Sequence, residues 1–474
     1  MTPDQIAKLS DYLSNQVTST FPLEIRPSSI AGAKNGLFST SAIGEGEEIF
    51  RSDPLVTCVD DGRHATVCDY CFSYSQSSIL PSGQFRETLE VMEPFKKCDG
   101  CKVCHYCSRN CQLNAWRRYH RHECSILSKK KETYARTRAL YRLISMQKAG
   151  LLDVEQWDAV NQLETHQTQH LRGPISAAIQ DASISAGLCI DMHSSEILNI
   201  YCAILTNSMC IKTADASAPT LGTTLDLAGS FMNHSCNPKA FVFFEGRQMR
   251  VRTLRPLRAG EEITQSYANL SASVFLRQEI IQRDYIFKCV CVRCQDEMKE
   301  LQQKALNKVD WLRKLENVQQ RLLELINNAI GHFNQTGTHM ELANLEADAE
   351  KIICEPFPHG VWPDGMPPLA SVHGTFAQIC RNNNDIAGAL RYSLKASLTL
   401  PKRVGEIWVH SLFNTLQIIS LVVVLPEQHP IFKENNLFLK DDCWNILHGY
   451  LHELKLAATY AFGSDSIYTR AIAE

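Results

Sequence analysis

Apolar residues recur along this chain with two different periods. Between Lys129 and Ser208, Leu140, Leu143 and Ile144 and then Leu151, Leu152 and Val154 fall at helical spacing, which predicts helices there. After Cys294 the same period runs on through Leu301, Ala305, Val309, Leu312, Leu315, Leu322, Leu325, Ile326 and Ala329, predicting a long helical region with one apolar face. Two short segments read differently. AIGEGEEIF (Ala42 to Phe50) and LRAGEEIT (Leu257 to Thr264) each place Gly before acidic residues and then an apolar run, the pattern of a tight turn entering β-structure. The expectation is a small-strand fold that owns both segments and is interrupted by insertions.

Within the later helical region, SVHGTFAQIC and NNNDIAGALRYSLKASLTL predict two antiparallel helices joined by a short turn, the size of one tetratricopeptide unit; one unit does not make a repeat array, and plain helical packing is the default reading. SLFNTLQIISLVVVL, Ser411 to Leu425, is interrupted by Asn414, Gln417 and Ser420 and is too short to span a bilayer, so a buried helix is expected and no membrane. At 474 residues, 44% hydrophobic and 21% charged, the chain reads as ordinary globular protein of several domains. A net charge of -3 gives no global reason to expect nucleic acid as a partner. MTPDQIAKLSDYLSNQV lacks the basic start and apolar core of a signal peptide, so an intracellular protein of nucleus and cytoplasm is expected.

Nineteen cysteines then change the picture, because reducing compartments do not sustain a disulfide framework and metal becomes the better explanation. Cys58, Cys189, Cys202, Cys210, Cys354, Cys380 and Cys443 are scattered in apolar surroundings and read as inert small hydrophobes. The rest cluster. Cys68 and Cys71, Cys98 and Cys101, Cys107 and Cys111, and His120 and Cys124 supply eight soft ligands, enough for two closed tetrahedral zinc sites that leave no open position for catalysis. Cys104 and His122 are surplus donors able to replace a neighbour. RRYHRHEC and Lys129 to Lys131 make the end of this module basic; a solvated helix face is the default reading and DNA contact is not expected.

The ligand pattern and the phrase YCSRNCQLNAW resemble the MYND finger, with an unusually long loop from Phe72 to Lys97. That resemblance implies interleaved pairs: Cys68, Cys71, Cys107 and Cys111 on one ion, Cys98, Cys101, His120 and Cys124 on the other. With AKNGLFS, FRSDPL, FMNHSCNP, AGEEITQSY and YIFKCVCVRC in order, the chain from Phe21 to Glu297 resembles the SET-and-MYND-domain lysine methyltransferases. The implied fold class is α+β. Its implied parts are an N-terminal helix (1–20), a SET β-fold (21–66 and 201–272) interrupted by the MYND finger (67–125) and a helical insert (126–200), a post-SET zinc segment (273–298) and a helical, tetratricopeptide-like C-terminal domain (299–474).

The resemblance implies S-adenosylmethionine as cofactor, its methionine end held in a knot-like crossing by Asn233 and His234, with Asn35, Gly36 and Leu37 beside it and Phe287 on the adenine. Amide and backbone groups suit a ligand carrying both ammonium and carboxylate. Glu164 and His166 fall near the family's adenosine contacts, although a solvated helix face explains them too. The family's Arg two positions before the cofactor Asn is Ala33 here. Cys289, Cys291 and Cys294 lack a fourth ligand, which Cys236 would supply; the alternative is a buried free thiol. Three zinc ions per chain are thus expected.

Tyr267 is expected to orient the attacking amine of a protein lysine and Tyr285 to wall its channel; taken alone, either could be a packed aromatic. The rival reading is a catalytically weak or silent scaffold that recruits partners through its finger, which would take proline-containing peptides, and through its helical C-terminal domain. A monomer is expected.

Overall fold

Residues 3–19, 21–74, 95–130, 134–189, 192–212, 220–305, 309–338, 340–357, 362–363, 365–400, 405–429, 431–432 and 440–473 are described in the computed structural model. Most of the loop expected between Phe72 and Lys97, and Lys131, lie outside them. Contacts divide the chain into two units, Met1–His234 with Pro238–Gln265 and Asp284–Ile286, and Ser235–Asn237 with Ser266–Arg283 and Phe287–Glu474. The class is α+β.

The first unit has α1 (Pro3–Gln16) and, among the described residues, four small antiparallel sheets. β1 (Thr18–Ser19), β4 (Glu48–Ser52), β11 (Gln248–Thr253) and β10 (Ala240–Glu245) make one, in that order. β2 (Leu23–Pro27) pairs with β3 (Asn35–Ser39), and β5 (Val56–Val59) with β9 (Gly222–Leu225), which also pairs with β8 (Met209–Ile211). β6 (Lys96–Lys97) pairs with β7 (His105–Tyr106). The β10–β11 hairpin turns at Gly246, where φ is +60° and a Cβ would stand 2.6 Å from the Cys71 carbonyl, so glycine is needed there twice over.

AIGEGEEIF forms β4 as its pattern predicts, with Ile49 and Phe50 fully buried. LRAGEEIT does not become a strand. Its rungs go to different neighbours: Ile263 N–H donates to Leu37 O, Gln265 N–H to Asn233 O, and Thr264 O accepts from Ala240 N–H. Gly260 and Ile263 donate to Ser39 O and Leu37 O of β3 while the flanking rungs go elsewhere, so only isolated bridges form, at Ile43↔Leu257, Phe38↔Glu262 and His234↔Gln265.

Helices occupy the interval between β7 and β8. α2 (Arg109–Ala115), a π-helical segment Trp116–His120 and α3 (Arg121–Lys129) run on without a break, then α4 (Ala135–Lys148), α5 (Val154–Gln162), α6 (Gln167–Arg172), α7 (Ser176–Cys189) and α8 (Ser194–Asn207). Leu140, Leu143 and Ile144 are fully buried on α4, but Val154 is 71% exposed because it only begins α5, behind the Asp153–Gln156 capping box. α9 (Leu227–Ser230) is one turn capped by Asp226, and it delivers the chain to Asn233.

The second unit is helical: α10 (Val274–Asp284), most of which belongs to it, α11 (Val292–Lys304), α12 (Val309–Thr336), α13 (Leu342–Cys354), α14 (Leu369–Asn382), α15 (Ile386–Thr399), α16 (Gly405–Val423), α17 (Lys440–Phe462) and α18 (Ile467–Ala473). The apolar face predicted from Leu301 onward is broken after Ala305, the C-cap of α11, and resumes in α12, whose Leu315, Val318, Leu322, Ile326 and Ala329 are buried with Leu345, Val372 and Phe376. α14 and α15 form the expected hairpin, with Asp385 capping α15 and Phe376 edge-on to Tyr392 at 5.3 Å. α16 buries Ile418, Ile419, Val422 and Val423, and no helix among the described residues is long and apolar enough to cross a membrane.

Candidate metal centres and cofactor site

Three groups of four ligand side chains converge, each with all ligand atoms within 4.8 Å of one another: Cys68, Cys71, Cys107 and Cys111; Cys98, Cys101, His120 and Cys124; and Cys236, Cys289, Cys291 and Cys294. Two sulfurs at the usual zinc distance on a tetrahedral ion stand about 3.8 Å apart. Cys71–Cys107 at 3.6 Å, Cys107–Cys111 at 3.5 Å, Cys98–Cys124 at 3.8 Å and Cys236–Cys294 at 3.4 Å fit that geometry. In each group one thiol is pulled down toward the thiolate that zinc takes. Hydrogen bonding from Cys68 lowers Cys71 to about 4, from Cys104 lowers Cys101 to about 3, and from Cys236 lowers Cys291 to about 5. The donor sets fit structural zinc.

Of the surplus donors, His122 turns outward and accepts from Arg121 at 2.7 Å, whereas Cys104 is fully buried and forms a further group with His120 and Glu123. Among the scattered cysteines, Cys58, Cys202, Cys380 and Cys443 are buried and Cys354 is half-buried, but Cys210 is exposed. It sits on the short strand β8, so the apolar surroundings read around it do not enclose it. The Cys189 side chain lies outside the described residues.

Sequence reasoning missed what braces the finger. His120 Nδ1 meets Glu123 Oε1 at 3.0 Å, which leaves Nε2 facing the Cys98 sulfur at 3.3 Å. Arg142 donates to both Glu123 oxygens, at 2.9 and 2.7 Å, to Asp69 Oδ1 at 2.7 Å and to the Thr57 carbonyl. Its guanidinium lies over the Tyr119 ring at 3.8 Å. Asp69 is inside the Cys68–Cys71 knuckle, so one buried cation joins both finger clusters to β5. Burial alone would raise the Glu123 carboxyl, yet Arg142 and His120 hold it at about 2. The only sequence signal was an Arg inside the apolar pattern of α4.

The third cluster lies in the second unit. Arg293 donates to Cys236 O at 3.1 Å and to Glu297 at 2.6 Å, and Glu297 also accepts from Arg277 at 2.6 Å. Phe287 packs against the apolar side of this cluster with Ala268 and Met298. Tyr267, in the same unit, is half-buried inside the turn that Ser266 Oγ closes by donating to Ala268 O at 2.7 Å.

In the first unit the structure brings Asn35, Gly36, Leu37 and Asn233 together around a carboxylate. Asn233 Nδ2 donates to Asn35 O at 2.9 Å and to Glu262 Oε1 at 2.7 Å; Ser28 Oγ donates to Glu262 at 2.9 Å. Gly36 is glycine for a steric reason, since a Cβ would stand 2.2 Å from Glu262 Oε1 and 3.0 Å from Asn233 Nδ2. Leu37 contributes no free main-chain group: its N–H donates to Phe231 O and its C=O accepts from Ile263. His234 is buried and bridged to Gln265. Glu262 was overlooked although it lies within AGEEITQSY.

Glu164 and His166 occupy the turn before α6. The Glu164 carboxylate accepts from the Thr165 N–H at 3.2 Å and pairs with Lys34 at 2.7 Å. Burial works against its charge, but Lys34 holds it below the ordinary carboxylate range. His166 is left-handed at φ +44°. Asn207 of α8, also missed, fixes this turn by donating to Glu164 O at 2.7 Å. Tyr285 belongs to the first unit and is followed by Ile286 at φ +66°, a costly conformation for a β-branched residue and the kind found at functional sites. Burial, with Cys210 and Asp284 nearby, pushes the Tyr285 hydroxyl up to about 12.

β3, the Asn233–His234 segment and the bridged segment carrying Glu262 all fall in residues 34–268, which the SET domain family model matches. The mouse (Mus musculus) "Histone-lysine N-methyltransferase SMYD3" is 29% identical over 59% of this chain and 63% of its own length. Its human (Homo sapiens) counterpart is 28% identical over the same shares, and "N-lysine methyltransferase SMYD2-B" of Xenopus laevis 24% over 59% and 62%. The chain spans less than two thirds of the length of these relatives. With the finger's ligands inserted in that match, the chain is similar to the SET-and-MYND-domain family.

Proposed function

We propose that this chain is a protein-lysine N-methyltransferase that uses S-adenosylmethionine, acting on nuclear or cytoplasmic proteins, histones or others. The observation that carries the reading is the Asn35–Gly36–Asn233–Glu262 cradle, which is polar, closely fitted and inside the stretch that the SET domain family model matches. Asn233, His234 and Asn35 would hold the methionine end, Glu164 and His166 the adenosine side, and Phe287 the adenine. When bound, the cofactor supplies the methyl group.

The chain's own task is the lysine proton. With a pKa of about 10.4, a free lysine is neutral roughly once in a thousand near pH 7.4, and only the neutral amine attacks. A dry channel disfavours ammonium and lowers that pKa. Tyr285, protonated far above neutral pH, serves as a hydroxyl wall and not as a base. Tyr267 would orient the amine, a contribution of proximity and alignment.

A scaffold reading is favoured by one feature: Ala33 replaces a cation, and the neighbouring Lys34 is engaged by Glu164. Calorimetry separates the two. Zinc-loaded protein should bind S-adenosylmethionine, Asn233→Ala should weaken that binding at least tenfold, and Tyr267→Phe should keep binding while lowering turnover about a hundredfold. No uptake by the wild type would leave the scaffold standing.

A further inference from the structure

The Asn233 side chain carries two N–H donors and one carbonyl, and which of them meets a ligand decides what the cradle selects. Both donors have partners: Nδ2 stands 2.9 Å from the Asn35 carbonyl and 2.7 Å from Glu262 Oε1. Turning the amide over would put Oδ1 against two acceptors, a carbonyl and a carboxylate, so the observed orientation is locked. Oδ1 is then the group left for a ligand, and a carbonyl oxygen accepts.

Glu262 is itself held in place. Glu262 is 7% exposed, and its carboxylate takes the Ser28 hydroxyl at 2.9 Å on each oxygen, while the Ser28 oxygen accepts the Ile30 N–H at 3.0 Å. Gly36 admits the carboxylate to this position, since any Cβ there would collide with it. No Lys or Arg pairs with Glu262 among the ion pairs of the described residues. A carboxylate buried without a cation sets a negative local field, which favours a cationic ligand group nearby.

We propose that Glu262 is a positioning residue that sets the polarity of the Asn233 amide and makes the cradle select a ligand bearing an ammonium group. This rests on the cofactor reading above and extends it: the α-ammonium of the methionine moiety is the recognised group, read by Asn233 Oδ1 with the Glu262 charge behind it. In Glu262→Gln the new amide can accept or donate, the lock on Asn233 is lost and the field disappears.

The test is calorimetric titration of the full zinc-loaded chain with S-adenosylhomocysteine and with its analogue in which hydrogen replaces the α-amine. The wild type should prefer the amine-bearing ligand by about tenfold or more, the scale of a hydrogen bond to a charged group. Glu262→Gln should lose that preference, binding S-adenosylhomocysteine roughly tenfold more weakly and the deamino analogue within about twofold of wild type. Should Glu262→Gln fail to fold, Glu262→Asp, which keeps the charge but withdraws it by one methylene, should show the same selective loss in smaller measure. Equal loss of both ligands would mean a purely structural Glu262 and overturn the proposal. So would an unchanged preference. A wild type that binds neither ligand would overturn the cofactor reading itself.

Discussion

The finger and the helices of the second unit are held by opposite means. In the finger the buried positions go to Cys68, Cys98, Cys101 and His120, with Glu123 and Arg142 fully enclosed beside them. In α12 to α15 they go to Leu315, Leu322, Phe376 and Ala389. The finger also buries Phe72, Tyr106 and Tyr119, but so short a module supplies too little burial alone, so metal and a closed ion network supplement it, whereas long amphipathic helices need neither. One region depends on ligands and charge, the other on fit.

The sharpest way to break that contrast is chelation. Structural zinc contributes on the order of 10 kcal/mol or more to such modules. Removing it should unfold the finger and expose Cys68, Cys71, Cys98 and Cys101 to alkylation while most helical circular dichroism persists. Simultaneous loss of both signals would show that the regions do not differ as described.

Substitutions sharpen it further. Arg142→Met leaves Glu123 and Asp69 buried without their cation and should cost about 3–5 kcal/mol, with zinc released early in a urea titration. Leu322→Ala should cost about 2–5 kcal/mol through a cavity and leave zinc retention unchanged. If Leu322→Ala also released zinc early, the separation would fail.

The smallest effect concerns pH in the helical region. Burial, then the Lys395 charge, lowers the His373 imidazole from 6.5 to about 4. The folded state thus favours the neutral ring: the stability is complete above pH 6.5 and is lost as pH falls toward 4, because the unfolded chain takes up the proton first. Melting of wild type and His373→Gln between pH 7 and 4.5 should show a shallower acid slope in the variant. Identical slopes would remove His373 from the account.

What was legible in the sequence follows from range. Cys-x2-Cys spacing is local chemistry, and the ligand pairs could be read from it, whereas their interleaving came from the family resemblance. The helices of the second unit were visible because Leu315, Leu322 and Ile326 repeat along one face. Glu262 was hidden because its partners Ser28 and Asn233 are set by folding across 234 and 29 positions, which no spacing reveals. Arg142 was hidden for the same reason, as a charge on an apolar face whose two acids come from elsewhere. LRAGEEIT forms its turn and bridged β-structure but no continuous strand, because its turn chemistry is local while its bridge partners Ile43 and Phe38 are set by folding.

The central claim is that the cradle serves methyl transfer. Its most direct test is incubation of the zinc-loaded chain with methyl-labelled S-adenosylmethionine and a broad protein array, with site mapping of the label. The account predicts label on lysine side chains, abolished by Asn233→Ala. No lysine labelling by a protein shown to bind the cofactor, or labelling undiminished in Asn233→Ala, would contradict it.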